Sequence, residues 1–70
     1  MMQSPVTPTF HRGYDRLIRI REVQEITSLS RSTIYHKVEQ GSFPEQVRLG
    51  PNIVAWYLSD VLEWVRNPKL

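Results

Sequence analysis

The side chains whose types and spacing can do chemistry lie close together. Arg31, Ser32, Thr33, Tyr35, His36 and Lys37 all fall between Ser30 and Gly41. They are hydrogen-bonding and cationic groups. The chain has no cysteine, no acid–base constellation beside a plausible nucleophile and no glycine-rich phosphate loop. Such a set suits non-covalent recognition better than bond making, so an enzyme is the weakest reading. Its two histidines, His11 and His36, are far apart and lack thiolate or paired-histidine company, which makes a poor metal site. No cofactor is expected.

These residues need an element to present them, and the spacing predicts a short helix. Ser30 suits an N-cap, because its hydroxyl can accept from a first-turn N–H. Gly41 suits the far end, because it can turn left-handed without a Cβ penalty. On a wheel of 3.6 residues per turn, Ile34 and Val38 share one apolar stripe. The opposite arc carries Ser32, His36 and Gln40, flanked by Thr33 and Glu39. Arg31 and Tyr35 border the stripe on one side and Lys37 on the other. A second helical pattern precedes this one, about Ile20 to Ile26, with Ile20, Val23 and Ile26 inward and Glu22 in the first turn. Arg19 at its N-cap is a poor choice, so this helix must rely on packing. Thr27, Ser28, Leu29 and Ser30 are left as the turn. Two short helices and a tight turn fit a helix-turn-helix. They equally fit a plain helical hairpin whose second helix is solvated on its outer face.

The remaining chain narrows that choice. Residues 1–13 carry Pro5 and Pro8 and few core-forming side chains, which predicts a flexible N-terminal arm. Leu17-Ile18 fits a short strand or an extended lead-in. Phe43-Pro44 closes the second helix. Val47-Arg48-Leu49 and Ile53-Val54-Ala55-Trp56 read as two strands around a Gly50-Pro51-Asn52 turn. Val47 and Leu49 are expected inward with Val54 and Trp56, and Arg48 outward. A last helix is expected over about Asp60 to Arg66, capped by Ser59, with Val61, Trp64 and Val65 buried. Asn67-Pro68 ends it, leaving residues 68–70 as a tail. The order helix, helix, β-hairpin, helix describes a small α+β fold, mostly α, with the hairpin where a wing follows a helix-turn-helix. The domain is expected over residues 14–67, and the wing favours double-stranded DNA as the partner.

Length and charge agree with that reading. Seventy residues make one small domain, without disulfides to reinforce it. The net charge is +2. Arg12, Arg16, Arg19, Arg21, Arg31, Lys37 and Arg48 outnumber the acids before Gly50, so the front of the chain tolerates a polyanion. No apolar run approaches the roughly 20 residues that span a bilayer. No charged-then-apolar leader pattern opens the sequence. The chain is therefore expected in a reducing cytoplasm, away from membranes.

Several short motifs carry a resemblance. Arg16-Leu17-Ile18-Arg19, Glu22-Val23, Leu29-Ser30-Arg31-Ser32-Thr33-Ile34-Tyr35, Gly41-Ser42-Phe43-Pro44, Val47-Arg48-Leu49-Gly50, Val54-Ala55-Trp56 and Ser59-Asp60-Val61 resemble the AlpA-type prophage regulators. That family is similar to phage excisionases and to the DNA-binding domains of MerR-type regulators. The resemblance covers about Arg16 to Val65. It implies a winged helix-turn-helix in a bacterial, nucleoid-associated setting. It also implies two jobs: transcriptional control, often of an integrase gene, and an architectural part in excising an integrated element. Copies of the chain itself or an integrase are the implied protein partners. Two positions depart from the family pattern. Ser28 stands where the family usually has glycine, and no arginine stands near Asn52 or Ile53 in the wing.

Within this frame the DNA-contact candidates are Arg31, Ser32, Thr33, Tyr35, His36, Lys37, Arg48 and Asn52. Ser32 and His36 suit base edges, and Thr33 is a first-turn residue beside them. Arg31 can reach guanine or phosphate. Lys37 and Arg48 suit phosphate, with Asn52 beside Arg48 at the wing tip. Tyr35 packs its ring at the core edge, either alone or while offering its hydroxyl to phosphate. Leu58 and Leu62 have no obvious inward slot. They support a rival reading, a protein-interaction module of the same fold acting through an exposed apolar face.

Overall fold

In the computed structural model, residues 15–69 are described. The arm expected over residues 1–13, with His11 and Arg12, lies outside them. The chain runs β1 (Leu17–Ile18), α1 (Ile20–Thr27), α2 (Arg31–Gln40), β2 (Val47–Gly50), β3 (Ile53–Tyr57) and α3 (Leu58–Arg66). Three helices thus accompany a three-stranded antiparallel sheet of order β1-β3-β2.

Packing, more than capping, holds α1. Arg19 makes no side-chain cap. Val23 is fully buried, and Ile20 and Ile26 pack on the core. Burying such a side chain contributes about 1.5–3 kcal/mol, more than a typical cap at about 1 kcal/mol. Glu22 draws in the Arg16 guanidinium at 2.8 Å. That carboxylate, through its hydrogen bond and its charge, raises the Arg16 pKa above the ordinary value. α1 runs one residue past the expected end, so the turn is Ser28, Leu29 and Ser30. Ser28 takes the left-handed conformation, φ 65°, and its N–H donates to Gln24 O. Thr27 Oγ1 donates to Val23 O at 2.8 Å and accepts from Leu29 N at 3.2 Å.

Trp56 on β3 is the centre of the core, surrounded by Ile18, Val23, Ile34, Phe43 and Val61. Its indole N–H donates to Pro44 O at 3.1 Å, so the buried polar atom is satisfied. Phe43 meets Trp56 edge-on and Trp64 at 4.9 Å between ring centroids. Trp64 is half-buried and donates to Ser42 O at 2.8 Å. The loop after α2 is thereby tied to both tryptophans.

Several expectations need correction. Val47 pairs with Ala55 and Arg48 with Val54, then the register shifts before Gly50 meets Ile53. In-register partners share a face of the sheet, so Val47 lies opposite the Trp56 face, and Arg48, expected on the outward face, shares the face of Val54 and Trp56 while its side chain stays exposed. Leu49 sits in the irregularity without a partner and is 50% exposed, not inward. Val65 is 40% exposed: it lines up with Val61 on the wheel but lies in the last turn, where only the longer Trp64 reaches Phe43. α3 starts earlier than expected, and its N-cap is Tyr57, without a side-chain bond. Leu58 therefore joins Val61 and Trp64 at i, i+3, i+6 and packs on the core, and only Leu62 of the two leucines stays largely exposed.

The last correction concerns Ser59. It does not cap α3 but lies in the first turn, where Asp15 supplies the capping oxygen. Asp15 Oδ1 accepts from Ser59 N at 3.1 Å, and Oδ2 accepts from Ser59 Oγ. Arg16 O accepts from Leu58 N at 2.8 Å. Two of the orphan N–H groups of α3 are thus satisfied from the other end of the chain. The same lead-in continues as β1, pairing Leu17 with Tyr57 and Ile18 with Trp56.

Candidate nucleic-acid interface

α2 is set by local chemistry at both ends. Ser30 Oγ accepts from Thr33 N at 3.2 Å and donates to Thr33 Oγ1 at 2.8 Å. Gly41 turns left-handed at φ 77°, and its N–H donates to Val38 O while Ser42 N donates to Lys37 O. Ile34 is the buried anchor, and Val38 packs beside it. These contacts leave the opposite arc, Ser32, His36, Glu39 and Gln40, exposed.

One open depression gathers Ser30, Arg31, Ser32, Tyr35, His36 and Glu39. Four candidates share it: Arg31, Ser32, Tyr35 and His36. Tyr35 is half-buried, with its ring centroid 6.2 Å from that of Trp56 and the Arg31 guanidinium carbon over the Tyr35 ring, 6.0 Å from its centroid. Tyr35 therefore packs at the core edge while its ring helps orient Arg31. Among the described residues, neither Arg31 nor Lys37 has a carboxylate partner. Their charges remain available to an outside anion.

Thr33, Lys37, Arg48 and Asn52 do not line the depression. Thr33 is half-buried, and its hydroxyl is engaged by the cap. Lys37 is half-buried on the flank of α2. Arg48 curls over the β2–β3 turn, donating from Nη1 to Pro51 O at 3.1 Å. That bond holds it beside the exposed Asn52 and leaves the other guanidinium N–H groups unspent. The candidates thus form two groups, one on the outer arc of α2 and one at the hairpin tip. Glu39 enters the first group. Its place on the wheel beside His36 gave that away, although its charge opposes phosphate.

Set against known proteins, residues 16–70 match the family model described as prophage CP4-57 regulatory protein (AlpA). The ORF88 protein of Enterobacteria phage P4 is 42% identical over 62 residues, covering 89% of this chain and 70% of its own length. No solved structure matches the chain.

Proposed function

Because the chain belongs to the AlpA family of prophage regulatory proteins, we propose that it is a sequence-specific binder of double-stranded DNA. On this reading α1 and α2 act as a helix-turn-helix, α2 lies in the major groove, and the β2–β3 hairpin is the wing. The protein then controls a gene of a prophage or integrative element, or shapes DNA for the element's excision. No covalent chemistry is required of it. The observation that carries the reading is the outer arc of α2. A helix capped at both ends turns hydrogen-bonding side chains away from the core and keeps Arg31 and Lys37 unpaired at its borders.

Ser32 and His36 are assigned to base edges, Lys37 and Arg48 to phosphate, and Arg31 to either. Thr33 and Tyr35 act mainly by holding the helix, and Asn52 supports the wing contact. Each phosphate contact releases counterions, so its loss lowers the slope of log K against log salt by about 0.9 and weakens all sequences alike. A base contact costs about 1–3 kcal/mol on the cognate site and little on random DNA.

The test begins by selecting a site from a random duplex pool. Four variants are then titrated against that site and a scrambled duplex at several salt concentrations. Lys37→Ala and Arg48→Ala should lower the salt slope and keep the specificity ratio. Ser32→Ala and His36→Ala should shrink the ratio and keep the slope. If all four bind both duplexes like the parent, α2 is not the reading head, and the exposed Leu62 face becomes the leading contact surface.

A further inference from the structure

A second concavity lies at the other end of α2. It is a cleft of about 360 Å³ between the loop that follows Gly41 and the outer side of α3. Phe43, Pro44 and Trp64 give it an apolar floor, and Glu45, Asp60 and Glu63 stand around it. The Trp64 ring is fixed by its bond to Ser42 O and its contact with Phe43. Gly41 and Asn67, the C-caps of α2 and α3, both border the cleft. Helix C-termini carry partial negative charge, so two of them add to the carboxylates. Lys69 is the one cation on the lining. Among the described residues, Glu45 and Glu63 have no ion-pair partner.

The floor and the rim select the same ligand chemistry. A tryptophan face attracts a cation, and a guanidinium stacks on it while its N–H groups reach carboxylates. The negative rim repels phosphate, so nucleic acid is the wrong occupant. Gly41 is about 16 Å along α2 from Ser30, at 1.5 Å per residue. A groove occupant on the outer arc and a ligand in the cleft can therefore be held together.

We propose that the cleft formed by Phe43, Pro44 and Trp64 with Glu45, Asp60 and Glu63 docks an arginine side chain presented by a second protein. Proteins that bind DNA carry arginine-rich surfaces, so a neighbour on the same duplex has the required chemistry. The choice of a DNA-bound neighbour rests on the DNA-binding reading, whereas the preference of the cleft for a guanidinium rests on Trp64 and the carboxylates.

The probe is a short acetylated, amidated peptide of alternating glycine and arginine. It is titrated into the isotope-labelled full chain and followed by the Trp64 indole N–H and the Glu45 and Glu63 amides. A peptide with citrulline for arginine is the control, keeping shape and removing charge. The arginine peptide should give saturable shifts at these signals, and the citrulline peptide none. Glu45→Gln with Glu63→Gln should weaken binding about fivefold, the effect of losing two exposed ion pairs. Lys69→Gln should tighten it by about twofold. Unchanged thermal midpoints in these surface variants keep the comparison clean. Three results overturn the proposal. One is no saturable shift, or equal shifts with citrulline. Another is movement of the same signals on raising the protein concentration alone, which makes a second copy the occupant. The last is their movement on adding duplex DNA instead.

Discussion

Ser28→Gly should stabilise the fold, and the structure sets how much. Ser28 is exposed at φ 65°, ψ 15°, and is the one non-glycine residue with positive φ among the described residues. The left-handed region costs an L-residue about 1–2 kcal/mol that glycine does not incur. Glycine returns about 0.5–1 kcal/mol of that through the greater freedom of its unfolded chain. The net gain is about 0.5–1 kcal/mol, or about 2–8 °C in melting temperature for a domain of this size. Gly41 supplies the mirror experiment. It is also exposed, at φ 77°, and a Cβ built there meets nothing within 4 Å. Gly41→Ala therefore carries only the backbone cost and should destabilise by about 0.5–1 kcal/mol. The assay is urea unfolding of the three proteins. The midpoints should move in opposite directions and the slopes should agree, because neither change alters the surface exposed on unfolding. A Ser28→Gly midpoint at or below the parent's would refute the argument. It would mean that the Ser28 side chain stabilises the turn by more than its backbone conformation costs.

Three further outcomes follow from packing, capping and footprint. Trp56→Ala should cost about 3–5 kcal/mol through lost burial and a residual cavity, and an unchanged denaturation midpoint would remove Trp56 from the core. Asp15→Ala should cost about 0.5–2 kcal/mol, the range for a lost N-cap, and should speed amide exchange selectively in the first turn of α3. If the proposed DNA binding holds, a single module covers only about 600–1,000 Å² of DNA, too little to specify a unique genomic site. Sedimentation of the saturated complex should therefore find several copies on adjacent or repeated sites, and strictly one copy would contradict this.

What could be read from the sequence was what depends on neighbours in the chain. Ser30 and Gly41 mark the ends of α2 because caps act within one turn. The wheel placed Ile34 inward and Ser32 and His36 outward for the same reason. Ser28 was singled out only by the resemblance, as the position where the family usually has glycine, and the structure shows it left-handed. The misreadings share an opposite cause. Ser59 has the side chain of a cap, but the oxygen that serves α3 comes from Asp15, 44 residues away. Leu49 obeys the alternation of a regular strand, and only the pairing with β3 reveals the irregularity that turns it out. Val65 fits its stripe in angle and fails in position along the axis. In the candidate interface, the bond of Thr33 to the Ser30 cap and the contact of Tyr35 with the Trp56 ring depend on side-chain placement that the wheel does not give. Of the carboxylates of the second cleft, Glu45 lies in the loop after α2 and Asp60 and Glu63 on α3, and no local pattern joins Glu45 to the other two.

The way α2 is attached has a consequence for inheritance. Of its ten residues only Ile34 is fully buried, and its ends are fixed by Ser30 and Gly41 outside it. Exposed substitutions away from caps and cores usually change stability by no more than about 0.5 kcal/mol. Ser32, His36 and Gln40 can therefore be exchanged with little penalty in folding. If these side chains read the operator, selection can retarget the regulator by altering a few codons on one scaffold. Phage lineages that recombine into new hosts would then diverge fastest on the outer arc of α2 and slowest around Trp56.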